Sequence, residues 1–363
     1  MTKAQTAVPH AASKQDQATV AADLRARVGR IARIRLACLP TPFHEMPRLT
    51  TLLGGPRLFI KRDDLTGLAL GGNKVRNWEF RLAELVAESA DVAILALDLQ
   101  SNSARQSTAA CTLAGIRTIL VLEGVRPEPV QGNLLLDYLM GAEVHFAPDR
   151  ASQRRLLDSL LDRETSQGRR AVIVTDRPHF EHSSSFAYIL ALLEMLDQAS
   201  DQGVALRHVY ISSAGKALAG MVMTERRLGA GFRVHAVPAT REWEVPRRTA
   251  AIAAEVASVL GLEDRVEPDQ VLCHDGFVGD GYGKPSEASV EAVKLFARTE
   301  GIVLDPVYTG KAAAALIAHV RSGALGPDDT AVLVHTGGAP GVFSHPHLWV
   351  EPDLWVEPAT ASG

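Results

Sequence analysis

From about residue 58 onward, short runs of β-branched and leucine side chains alternate with longer stretches in which Ala, Leu, Glu and Arg recur on a helical repeat. The short runs predict strands at Leu58–Lys61, Val92–Leu97, Thr118–Leu122, Glu143–Phe146, Ala171–Val174, His208–Ile211, Arg233–Val237 and Ala331–His335. The stretches between them predict helices over Val75–Ser89, Ser103–Ala114, Gln131–Met140, Ser152–Thr165 and Phe186–Ala199. Further helices are expected over Ala217–Leu228, Pro246–Leu260, Ser286–Thr299 and Lys311–Ser322. Such alternation builds βα units, so the expected fold class is α/β with mostly parallel sheets flanked by helices. Ligands of such sheets sit beyond the carboxyl ends of the strands. The loops there that are rich in small polar residues are Gly71–Lys74, Gln100–Ser103, Ser212–Lys216 and His335–Gly341.

With 363 residues the chain exceeds one typical compact domain, which predicts two lobes with separate cores. Hydrophobic residues at 46% and charged residues at 22% are globular values. A net charge of −4 with no long Lys/Arg block argues against a nucleic-acid or membrane-surface partner. No segment reaches the roughly 18 to 20 apolar residues of a membrane span. Cys38, Cys111 and Cys273 are far apart and have no CxxC or His-rich neighbours, so neither a disulfide framework nor a metal site is expected, and a reducing cytoplasm suits them. Residues 1–22 are polar, lack the apolar core of a secretory signal and read as a flexible leader. A nicotinamide-binding reading would need a GxGxxG turn after an early strand, and no convincing copy exists.

Chemistry concentrates first at Gly71-Gly72-Asn73-Lys74. The glycines allow close backbone approach, and a lysine at a helix start has its pKa lowered by the helix dipole. A Schiff-base lysine needs that, because only the neutral amine attacks an aldehyde. Alone, this segment is no more than a turn with a solvated lysine. Five segments in one order change the reading: Leu39-Pro40-Thr41-Pro42, Ile60-Lys61-Arg62-Asp63-Asp64, Gly71–Arg76, Gln100-Ser101-Asn102 with Arg105-Gln106, and Leu304–Lys311. As a set they resemble the fold-type II enzymes dependent on pyridoxal 5'-phosphate (PLP), the tryptophan synthase β-like group. Within that group they are most similar to the family of D-cysteine desulfhydrase and aminocyclopropanecarboxylate (ACC) deaminase. The resemblance runs from about Leu39 to Phe343.

That resemblance implies a large PLP-binding lobe from residues 1–76 and 185–363, a small lobe from 77–184, and a cofactor in the cleft between them. It implies that Lys74 holds PLP as a Schiff base and moves the substrate's α-proton, and that Asn102 contacts the cofactor's phenolic oxygen. Ser101, Asn102 and Ser103 would receive the substrate carboxylate at a helix start, where anions bind readily. Tyr308 and Tyr282 are the candidates for proton handling, with a core role as the alternative for each. The phosphate would lie on Ser213, Ala214, Gly215, Lys216 and Ala217, and Thr336 would touch the ring edge or the substrate. Thr309 falls where the family places the partner of the pyridine nitrogen. A carboxylate there, as in ACC deaminases, makes the ring a stronger electron sink; a neutral hydroxyl suits loss of a good β-leaving group.

Departures from the family occur where ligands are expected. Alanines replace hydroxyl residues in the phosphate loop and Lys216 appears, either as a compensating charge or as a solvent-facing residue. Arg177–Ser185 replaces a Gly-Gly-Ser turn with a segment carrying His179, Glu181 and His182, and Ser103 stands where relatives usually have His or Gln. The expected activity is α,β-elimination from a small amino acid such as D-cysteine by a cytoplasmic homodimer. The alternatives are ACC ring opening, β-replacement, racemisation, or a degenerate homologue without catalysis.

Overall fold

The computed structural model describes residues 12–350. The first part of the chain runs α1 (Lys14–Val28), β1 (Phe43–Glu45), α2 (Pro47–Leu53), β2 (Arg57–Lys61), α3 (Lys74–Ala87), β3 (Val92–Asp98) and α4 (Asn102–Leu113). It continues through β4 (Arg117–Glu123), α5 (Gly132–Leu139), β5 (Glu143–Ala147), α6 (Arg150–Ser166), β6 (Ala171–Ile173) and α7 (Pro178–Asp201). The remainder is β7 (His208–Ser212), α8 (Lys216–Leu228), β8 (Arg233–Val237), α9 (Val245–Leu260), β9 (Leu272–Cys273), α10 (Glu287–Glu300), α11 (Thr309–Arg321) and β10 (Thr330–Val334).

The strands form two sheets, one in the order β1-β2-β10-β7-β8-β9 and one in the order β5-β4-β3-β6. Every pairing is parallel except β1 with β2. Both sheets are covered by helices; β7 and β10 of the larger sheet are buried along their whole length, and β3 and β4 of the smaller sheet along most of theirs. This explains why those strands read as unbroken apolar runs and not as alternating ones. Each strand expected from the sequence is present to within a residue or so at its ends. The edge strands β1 and β9, three and two residues long, are too short to leave a periodic signal.

Two expectations are corrected. The flexible leader expected over residues 1–22 is helical from Lys14, capped by the Ser13 hydroxyl, and α1 buries Leu24 and Val28 against the large core; residues 1–11 lie outside the described residues. The helix expected to start at Phe186 begins at Pro178, so that His179–Ser185 forms its first two turns. Proline at the first helical position, with Arg177 extended before it, is a favourable start. The serines of these turns are occupied: Ser183 Oγ accepts from Arg81 Nε at 2.8 Å and Ser184 Oγ from Arg81 Nη2 at 3.2 Å.

A buried ionic network sets the position of α3. Arg76 donates to both carboxylate oxygens of Asp63, at 2.8 Å and 3.0 Å, and to Glu194 on α7 at 2.9 Å. Tyr188 and Thr41 donate to the same Asp63 carboxylate, at 2.9 Å and 2.8 Å. Lys61, only 1% exposed, joins the network through Glu194. The arginine charge beside Asp63 and Glu194 holds both carboxyl pKa values down against burial, which pushes the other way.

Candidate active site

The carboxyl ends of β2, β3, β7 and β10 converge on one cleft of about 380 Å³. The loop after β2 and the loop after β10 meet backbone to backbone. Asn73 N donates to Thr336 O at 2.9 Å, and a Cβ added to Gly337 would lie 2.6 Å from the Gly72 Cα. Gly72 and Gly337, with φ of +117° and +95°, therefore satisfy both a close approach and a left-handed backbone. On the opposite side, Arg105 donates to Asn133 Oδ1 at 2.8 Å and to Gly71 O at 3.2 Å, and Gln106 donates to the same carbonyl. α4 is thereby stitched to the loop that presents Lys74.

Lys74 lines this cleft and has no hydrogen-bond or ion-pair partner among the described residues. Burial, then the positive charges of Arg81 and Lys216, lower its pKa to about 7. A large fraction of the amine is thus neutral and nucleophilic near neutral pH. Ser101, Asn102, Ser103, Ser213, Ala214, Lys216, Ala217, Tyr282, Tyr308 and Thr336 line the same cleft. Ser101 caps α4, its hydroxyl accepting from Ser103 N at 3.1 Å and Ala104 N at 3.3 Å. Asn102 Oδ1 accepts from Asn133 Nδ2 at 3.0 Å, which leaves the Asn102 NH2 free to donate toward the cleft.

The two tyrosines form a chain. Tyr282 donates to Asp98 Oδ2 at 3.0 Å, and the hydroxyls of Tyr282 and Tyr308 are 2.6 Å apart. Burial raises the pKa of both phenols. Gly215 and Thr309 are not on the cleft wall. Gly215, with φ of +102°, shapes the turn into α8. Thr309 is fully buried; its hydroxyl donates to Asp305 Oδ1 at 2.7 Å and accepts from Asp305 N at 2.8 Å. Its only proton is therefore engaged by a neighbouring carboxylate, which counts against its expected place as donor to the pyridine nitrogen.

Lys216 is not solvent-facing. It pairs with Glu181 at 2.9 Å and lies 4.6 Å from the Phe180 ring centroid, while Arg248 holds the same Glu181 at 2.6 Å. Arg81, which sequence reasoning passed over, stands on the Lys74 stripe of α3, seven residues on, and is 2% exposed. Its Nη1 has no partner, and neither does the buried Ser212 Oγ at the end of β7. Burial lowers the Arg81 pKa to about 9, opposed only partly by Glu181 and Glu84. Lys216 and Arg248 share the one carboxylate Glu181, and Glu84, the other carboxylate near Arg81, is itself paired with Arg177. The α8 start beside them has no side-chain cap. Excess buried cation, two orphaned polar atoms and an open helix N-terminus are what a bound dianion requires, so the wall fits the phosphate of PLP. The only signal for Arg81 in the sequence is its spacing from Lys74.

Residues 34–337 match the family described as pyridoxal-phosphate dependent enzyme. The chain is 36% identical to a D-cysteine desulfhydrase from Klebsiella pneumoniae subsp. pneumoniae, over 88% of this chain and 98% of the relative. It is 33% identical to one from Salmonella typhi over the same shares. The crystal structure of an ACC deaminase homologue superimposes with a TM-score of 0.79 at 28% identity, covering 90% of this chain and 97% of the other. A lysine of lowered pKa in a cleft built for a dianion, on this fold and with these relatives, makes the chain a member of the fold-type II pyridoxal-phosphate-dependent enzymes.

Proposed function

We propose that the protein is a PLP-dependent lyase that carries out α,β-elimination on a small amino acid such as D-cysteine or an analogue, releasing a keto acid, ammonia and the β-substituent. The observation that carries this reading is the Lys74 amine, unpartnered and near pKa 7, in a cleft that also holds Arg81 with an unpartnered Nη1 and Lys216. Similarity to the desulfhydrases over 88% of the chain supports the reaction class.

Lys74 would bond the cofactor's aldehyde carbon. The Ser212–Ala217 turn, Lys216 and Arg81 would hold its phosphate, Asn102 Nδ2 its phenolic oxygen, and Thr336 its ring edge. When bound, the pyridine ring withdraws the electron pair left at the substrate's α-carbon. The chain's own residues do the rest. With Ser103 N and Ala104 N already capped, the Asn102 N–H and the Ser101 hydroxyl proton are the donors open to the substrate carboxylate at the α4 start. Ser103 adds its hydroxyl to this substrate-facing turn. Displaced by the substrate's amine, the Lys74 amine is positioned to take the α-proton and return it. Tyr308 and Tyr282 line the cleft as a hydrogen-bonded pair and are the phenols available for proton handling. Similarity to the desulfhydrases favours departure of a good β-leaving group over ACC ring opening.

The small lobe, residues 77–184, carries the four strands of the smaller sheet, and the flanking segments carry the other six. The three cysteines are free, which supports a reducing, cytoplasmic setting, and the family resemblance supports a homodimer. Among the described residues no helix is long and apolar enough to cross a membrane. The test is direct: record the visible spectrum of the purified protein, reduce it with borohydride, map the labelled peptide, and assay pyruvate from D-cysteine and keto acid from ACC. A label on Lys74 and product from D-cysteine alone are expected. A colourless protein, or a label on Lys216, overturns the proposal.

A further inference from the structure

Two carboxylates line the cleft, Asp98 and Glu123. Glu123 is paired with Arg150 at 3.3 Å. Asp98, at the carboxyl end of β3, makes no ion pair among the described residues, and its side-chain partner is the Tyr282 hydroxyl at 3.0 Å. That bond dictates the direction of the next one. With its single proton on Asp98, Tyr282 can only accept across the 2.6 Å contact with Tyr308, so Tyr308 is the donor. Tyr308 then has no proton left for the cleft and offers it lone pairs alone. Reversal is unfavourable, because it would leave the Tyr282 lone pairs facing the Asp98 carboxylate with no proton between them.

We infer that Asp98, acting through Tyr282 and Tyr308, makes this cleft select a substrate whose β-substituent is a protonated amine, a diamino acid such as β-aminoalanine. The inference rests on the elimination reading above and names its substrate class. A departing thiolate is an anion, and the oxygen lone pairs and carboxylate at this end of the cleft repel it. An ammonium group is the converse: it donates to those oxygens, stays charged beside Asp98, and leaves as neutral ammonia without an added acid. The balance closes with water alone. Lys74 takes the α-proton, the Cβ–N bond breaks with its electron pair going to nitrogen, and ammonia departs. The released aminoacrylate takes up water to give pyruvate and a second ammonia.

The test compares β-aminoalanine, as both enantiomers, with D-cysteine and β-chloro-D-alanine on the PLP-loaded enzyme. Wild type, Asp98→Asn and Asp98→Ala are each assayed with cofactor occupancy read from absorbance. In wild type, kcat/KM for β-aminoalanine is expected to exceed that for D-cysteine by about tenfold or more, and this ratio should fall by about tenfold or more in Asp98→Asn. The wild-type ratio needs no variant and decides the matter even where a variant folds poorly. A wild-type preference for D-cysteine, or a ratio unchanged in both variants, overturns the inference. Turnover of β-chloro-D-alanine without turnover of β-aminoalanine sinks it while leaving elimination intact; turnover of none of the three sinks both.

Discussion

Lys74 and Arg81 share one face of α3. Burial and then the arginine charge depress the lysine pKa, while Arg81 keeps an Nη1 without a partner. Replacing Lys74 with alanine should lower turnover by about a hundred- to ten-thousandfold and abolish the borohydride-fixed chromophore. In enzyme stripped of cofactor, the rate of chromophore recovery should climb as pH rises through about 7, the Lys74 value, because the neutral amine is the reactive form. A rate that is flat across that range would show that another step governs recovery. Arg81→Leu keeps the packing volume but removes the unpartnered Nη1. Its dissociation constant for PLP, followed by fluorescence titration, should rise roughly ten- to hundredfold, the worth of a hydrogen bond between charged groups.

At the scale of elements, α3 carries the reactive lysine and the Asp63–Arg76–Glu194 network carries α3. Asp63 is fully buried and Arg76 only 3% exposed, so removing the arginine strands a carboxylate in the core. Arg76→Ala should destabilise the fold by about 3 to 5 kcal/mol, read as a lower urea midpoint. The sequence makes such elements legible in unequal degree. The strands of both sheet interiors are evident because burial on both faces demands uninterrupted apolar side chains. The start of α7 is hidden because His179, Glu181 and Ser183–Ser185 look like a polar loop until Arg81, about a hundred positions away in the chain, is seen to bind the serines. Lys74, Ser101 and Asn102 are recognisable as an ordered set with neighbouring motifs. Asp98 and Arg81 are not, since what distinguishes them is which partners they lack, and a linear sequence does not contain that information.

Across the whole molecule, the far side of the larger sheet holds a buried file of aromatic rings. His208 Nδ1 contacts His235 Nε2 at 3.0 Å, His235 Nδ1 contacts His274 Nε2 at 2.9 Å, and Tyr210 contacts His319 Nδ1 at 2.7 Å. Burial lowers the pKa of His274 and His319 to about 4 and that of His235 well below its usual 6.5. The unfolded chain therefore takes up protons at a higher pH than the folded one. The stability these neutral rings confer is complete above about pH 6.5 and is lost as pH falls toward 4. Thermal melts at successive pH values should show the melting temperature dropping through that window; a constant melting temperature would mean that the file relaxes on protonation.

The excess of cations on the α8 side of the cleft also governs how the protein behaves once its coenzyme is stripped away. Arg81 and Lys216 would then draw small inorganic oxyanions from the surrounding buffer, and reloading would have to displace them first. Phosphate or sulfate in the medium should retard reloading in proportion to its concentration, whereas chloride at equal ionic strength should do so far less.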